Sequence, residues 1–362
     1  MFGKLYLGEV KKQLRPKAII TLAVFFVIFF VIFAVVYNLD LEEMFQESNM
    51  TIINDEGQEV EMSIEEFLEM TQERNNIFKD ITQDNVDQSI ADAKVSLEEA
   101  KAHDKENDTN EAYYAKGVLT VLEYIKANNI NGADMKIEGL GDFRGLNSAE
   151  GFVSSYFEIV LIILSIYGIV MAAGIFADEY RNGTIKLLMM RPITRNQLTT
   201  AKLLAAYSVV LAYLGITSLI AYAYGAIAFK NKSLEVVYQV FNAQSVIKTT
   251  IGGAMFANMM FSAIKLLTLI TASFTIGTLL KKKTAGIILS FIILFGIVST
   301  IFSSFDFQII TLSANYSLNQ YFSFGHNYMQ YGNFFVSLAV LAVYWATMLV
   351  STYLVVGKRD IA

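Results

Sequence analysis

The chain has 362 residues, 54% of them hydrophobic and 17% charged, with 2 prolines, no cysteine and a formal net charge of −6. That balance excludes an ordinary soluble fold, where charged residues run near ~25%, and indicates a polytopic membrane protein. The lack of cysteine excludes disulfides, thiolate nucleophiles and zinc–cysteine sites, and the two histidines, His103 and His326, lack any metal-ligand spacing.

The first segment, FGKLYLGEVKKQLR, sets Phe2, Tyr6, Val10 and Leu14 in one i, i+4 row with Lys4, Lys11, Lys12 and Arg15 outside it. This is the pattern of an amphipathic helix lying on a membrane surface. Pro16 separates it from an apolar run, residues 18–37, which is longer than a signal peptide's apolar region and lacks a small-residue cleavage site, so an uncleaved anchor is expected. Residues 38–152 then hold 27 acidic against 9 basic residues. The insertion opens with MTIINDEGQEVEM, two alternating runs about Asp55, Glu56 and Gly57 that predict a small β-hairpin. From Ser63, with Glu66 placed to complete a capping box, helical patterning runs to about Ala102. After the polar break DKENDTN a second helix is predicted from Glu111 to Ala127, giving an antiparallel pair. The insertion is expected to be mainly helical and separable, serving as a spacer, a lid or a partner-docking surface.

The second span, 156–177, has Glu158 as its only charge, and its Gly168, Ala172, Ala173, Gly174 and Ala177 allow close helix approach. Between it and the third span, 203–229, lies a polar island, DEYRNGTIKLLMMRPITRNQLTTAK, residues 178–202. Thr184 is placed to cap a short helix ending before Pro192. Such a helix presents Ile185, Leu188 and Met189 as an apolar knob beside Lys186 and Arg191. Thr194 and Gln197 predict a capping box for the helix that continues through Lys202. Residues 230–253 are mildly amphipathic and read as an interfacial segment. Spans 254–280 and 285–303 follow, separated by Lys281, Lys282 and Lys283, and residues 305–331 carry eight aromatics that read as an interfacial belt or a short re-entrant element. The sixth span, 334–356, precedes Lys358 and Arg359.

Basic residues thus gather in the first segment, the island, the 281–283 triplet and the tail, which places the island and both termini in the cytoplasm and the acidic insertion outside the cell membrane. Counted from that boundary at ~1.5 Å per residue, Lys265 lies about 24 Å and Glu158 about 30 Å into the membrane, so the two are candidates for an intramembrane charge pair.

In the island, Glu179, Arg181, Gly183, Thr184, Leu187, Leu188, Pro192, Arg195 and Lys202 resemble the E-x-R-x-G-T-x-x-x-L-L…P…R…K signature of type-2 ABC exporter permeases. The resemblance covers the membrane part of the chain and leaves residues 38–152 outside. It implies an all-α fold of six transmembrane helices in which residues 1–17 form an elbow helix. Residues 182–191 correspond by position to a coupling helix that docks on a separate ATPase, with Glu179 and Arg181 at its base. The coupling residues are then Gly183, Thr184, Ile185, Leu187, Leu188, Met189, Arg191 and Pro192. It further implies a second permease, identical or different, contact with membrane lipid, and outward transport of an amphiphilic substrate such as an antimicrobial peptide, a drug or a lipid. No cofactor and no nucleic acid is called for, and no G-x-x-x-x-G-K-[ST] phosphate loop occurs in these residues, so ATP hydrolysis is expected from the separate subunit. The alternative is a sensor or scaffold whose ectodomain binds a partner and whose island signals to a cytoplasmic protein.

Overall fold

The computed structural model describes residues 2–14, 16–46, 49–53, 59–63, 77–107, 111–138, 148–185, 193–301, 310–322, 324 and 333–358. Among the described residues, four helices are long and apolar enough to cross a bilayer: α5 (Ala149–Arg181), α6 (Arg195–Ala228), α7 (Ile251–Leu280) and α11 (Phe334–Lys358). Ahead of them come α1 (Phe2–Gln13) and α2 (Pro16–Gln46), the latter with an apolar stretch at Ala23–Leu39. The expected fifth span is interrupted. Helix α8 (Lys283–Leu294) stops before Gly296, whose φ of 66° is one that glycine adopts without a Cβ penalty, and a five-residue α9 (Ile297–Ile301) restarts beyond it. At ~1.5 Å per residue α8 is about 18 Å long, short of a ~30 Å hydrocarbon core.

Helices α5 and α7 form the centre of the bundle. The small residues of α5 have the role their pattern predicts, since Ala172, Ala173 and Ala177 are buried and a Cβ added at Gly277 of α7 would fall 2.5 Å from the Ala173 carbonyl. Hydroxyls complete the contact: Ser273 donates to the Ile169 carbonyl at 2.8 Å, and the Trp345 indole of α11 donates to Thr268 at 2.9 Å. Such side-chain bonds supply polar partners where lipid cannot. Helix α2 packs through rings, with Phe30, Phe33 and Tyr37 around Phe152 and Tyr156.

Within the insertion the predicted hairpin is present as β1 (Asn49–Ile53) paired antiparallel with β2 (Glu59–Ser63). Ser63 ends the second strand, opposite Asn49, and the residues that would follow it in the expected helix, 64–76, lie outside the described residues. Among the described residues of the expected helix, 77–85 form turns, in which the Asn85 side chain accepts from the Thr82 N–H at 2.8 Å, and a helix runs from Val86. Helices α3 (Val86–Asn107) and α4 (Glu111–Asn128) are antiparallel as expected, tied at one end by Lys126 to Asp87 and at the other by His103 to Glu111 at 2.9 Å.

Residues 230–253, read as an interfacial segment, instead form a hairpin, β3 (Val236–Phe241) with β4 (Ser245–Thr250). Its alternation puts Tyr238 and Val240 into one core with Phe78, Val86, Val121 and Ile125 of the insertion. Tyr238 also exchanges backbone hydrogen bonds with Lys136 and Glu138, at 2.8 and 2.9 Å. The 38–152 segment thus does not close its core alone, because the 230–253 hairpin and Phe324 complete it. Phe324 comes from the aromatic stretch, for which an interfacial belt or a short re-entrant element is expected. Of that stretch, Tyr316 and Tyr321 are likewise buried, beside α10 (Leu312–Asn315) and a 3-10 turn (Leu318–Phe322) packed against α7 and α11. Phe305, Phe307, Tyr328, Tyr331 and His326 lie outside the described residues. This composite domain sits where α5 and α7 begin and α6 ends, and the island occupies the other end of the bundle.

Candidate functional site

The island starts where α5 ends. The Asn182 N–H closes the last turn on the Asp178 carbonyl, and Gly183 turns the chain with φ 69°. A Cβ there would meet no atom within 4 Å, so the backbone conformation and not space calls for glycine. Thr184 turns its hydroxyl back to the Glu179 carbonyl at 3.4 Å. Ile185 is 4% exposed and belongs to the main core, so it anchors the loop and is not part of an exposed knob. Residues 186–192, which include Leu187, Leu188, Met189, Arg191 and Pro192, lie outside the described residues. On the return side the predicted capping box is complete: the Gln197 N–H donates to the Thr194 hydroxyl at 3.2 Å and the Thr194 N–H to the Gln197 side chain at 3.4 Å.

Below the turn lies a cluster of charges that holds three helices together. Lys202, in α6, is fully buried. Its ammonium donates to Glu179 of α5 at 2.7 Å and to Glu9 of α1 at 3.0 Å, and both carboxylates are themselves buried. Lys12 of α1 reaches the same Glu179 oxygen. Two cations and two carboxylates thus balance, as burial requires, since an unpaired charge inside a protein is strongly disfavoured. The ammonium also lies 5.4 Å from the centroid of the Phe176 ring. Two further bonds fasten α1 along α6: Tyr6 to Ser208 at 2.6 Å, and the Gln13 amide to the Lys202 carbonyl at 3.4 Å.

The neighbouring signature residues face other partners. Asp178 forms an ion pair with Arg181 at 3.1 Å and accepts from Lys283, at the start of α8, at 3.5 Å. Lys281 stands 5.0 Å from the Tyr180 ring centroid. Arg195 donates to the Gly357 carbonyl at 2.9 Å and the Val356 carbonyl at 3.4 Å, where a cation complements the C-terminus of α11. The four basic segments of the sequence therefore meet at one end of the bundle.

Sequence reasoning quoted Glu179 and Lys202 but missed Glu9 and the clamp itself. The available signal was that Glu9 shares the apolar face of α1 with Tyr6 and Gln13 at helical spacing. The structure does not bring Glu158 and Lys265 together. Glu158 is exposed, the Lys265 ammonium lies 4.8 Å from the Tyr316 ring centroid, and no ion pair joins the two.

The family described as ABC-2 family transporter protein matches residues 4–360, nearly the whole chain. A relative, the uncharacterized protein YhcI of Bacillus subtilis (strain 168), is 28% identical over 211 residues, covering 56% of this chain and 66% of the relative, just under two thirds of its length. The chain belongs to the ABC-2 family of transporter proteins.

Proposed function

We propose that this ABC-2 permease is the membrane-spanning half of an ATP-driven exporter. Its island docks on a separate ATPase subunit, and the substrate is an amphiphile moved outward. The observation that carries this reading is the Glu9–Lys202–Glu179–Lys12 cluster. It joins the surface helix α1 to both limbs of the island, so a push on residues 182–191 reaches α5, α6 and α1 as one body. Arg195 carries the same push to the end of α11. The basic island end faces the cytoplasm and the composite domain faces outward, with α2 and the broken α8–α9 pair as the remaining two of six spans. Exposed Val24, Val27, Ile28, Val31, Ile32 and Val35 on α2 form a surface for lipid or for a second permease.

Affinity purification of the tagged chain from membranes of its own cells is expected to bring down a protein containing a G-x-x-x-x-G-K-[ST] loop. Recovery of the intact chain without any ATPase would favour the sensor reading instead. Orientation is tested by a cysteine at Asp108, between α3 and α4. An impermeant thiol reagent is expected to label it in intact cells, whereas labelling seen only after lysis reverses the topology.

A further inference from the structure

Close to the composite domain, α5, α6 and α7 enclose a cavity of about 290 Å³. Its wall is largely apolar, built by Phe157, Leu219, Met255, Phe256 and Met259. It opens on the outside of the bundle, where Leu219 and Phe256 are 69% and 63% exposed. Ser218 and Asn258 also line it, and the Ser218 Oγ and Asn258 Oδ1 are buried without a hydrogen-bond partner. Buried polar atoms are nearly always paired, so two unpaired ones in a single apolar cavity are a place for a ligand's polar group. No acidic, basic or histidine side chain lines the cavity among the described residues, so a charged head group would be buried there without a counter-ion. A hydroxyl both donates and accepts, and it satisfies the asparagine amide in either orientation.

We infer that this cavity is a binding site for a neutral, hydroxyl-bearing, single-chain amphiphile of the monoacylglycerol class. The hydroxyl lies between Ser218 and Asn258, and the chain runs along the adaptable Met255 and Met259. The volume is at the lower end of ligand pockets, enough for a head group and part of one chain but not for a two-chain phospholipid. Asn258 is the seventh residue after Ile251, so the site is about 10 Å from the start of α7 at ~1.5 Å per residue, at the depth of a shallow lipid hydroxyl. The inference needs no assumption about ATP coupling.

Native mass spectrometry of the purified permease, without any ATPase, provides the test, with monoolein, methyl oleate and oleate at neutral pH as probes. Monoolein is expected to bind saturably, and the ester, which has no donor, and the charged acid at least tenfold more weakly. The pair Ser218→Ala and Asn258→Leu should weaken monoolein at least tenfold while leaving methyl oleate unchanged. Gly215 also lines the cavity, and a Cβ there meets nothing within 4 Å. Gly215→Leu should therefore fill the space without a backbone clash and remove monoolein binding. It decides the matter alone if the polar-free variant fails to fold. Equal binding of monoolein and methyl oleate, wild-type monoolein affinity in either variant, or no saturable binding of monoolein overturns the inference. Because no ATPase is present, none of these results bears on the exporter reading.

Discussion

Replacing Lys202 by methionine is expected to destabilise the permease more than any other single change at the island. Methionine fits the space, but Glu9 and Glu179 are left as two buried carboxylates facing each other with only Lys12, whose side chain is 45% exposed, to balance them. Removing one partner from a buried ion cluster costs about 3–5 kcal/mol. In detergent the variant should lose its monodisperse elution peak at a clearly lower temperature than the wild type. Neutralising the whole cluster, with Glu9→Gln, Lys202→Met and Glu179→Gln together, should recover most of that loss, because no uncompensated charge remains. Lys12→Ala should cost no more than about 1 kcal/mol, as partly exposed pairs do. If Lys202→Met melted like the wild type, the cluster would not be what fastens α1 to the bundle.

The largest functional effect is expected at Leu188. If residues 182–191 dock into an ATPase cleft, Leu188→Glu buries a carboxylate without a partner, at a cost of several kcal/mol. Each ~1.4 kcal/mol is tenfold in affinity, so assembly should weaken by two orders of magnitude or more. The permease should still insert and fold, since the Glu9–Lys202–Glu179 contacts lie below the loop and are untouched. Normal stoichiometry and normal coupled ATP hydrolysis in Leu188→Glu and Met189→Glu would remove the docking assignment.

What was legible in the sequence followed from periodicity and short-range chemistry. Four of the apolar runs, the second helix of the α3–α4 pair, the first hairpin and the Thr194–Gln197 capping box depend on residues a few positions apart, and each appears where its pattern placed it. What was missed depends on partners distant in sequence. Tyr238 and Val240 look like a mildly amphipathic linker until Phe78 and Ile125 cover them, and Phe324 looks like an interfacial anchor until it enters the same core. Glu9 reads as one polar residue of a surface helix, and only its contact with Lys202, 193 positions on, turns it into a buried partner. The break at Gly296 was hidden because the runs on either side are equally apolar and the glycine's φ decides the matter.

The central claim is that the island meets an ATPase. The most direct measurement is photocrosslinking in living cells from a benzophenone amino acid incorporated at Leu188, with the same probe at Asn231, at the opposite end of the bundle, as the control. The account predicts that Leu188 crosslinks to an ATPase subunit and Asn231 does not. Crosslinks from Leu188 that reach only lipid or this chain, in cells where the ATPase is present, would contradict it.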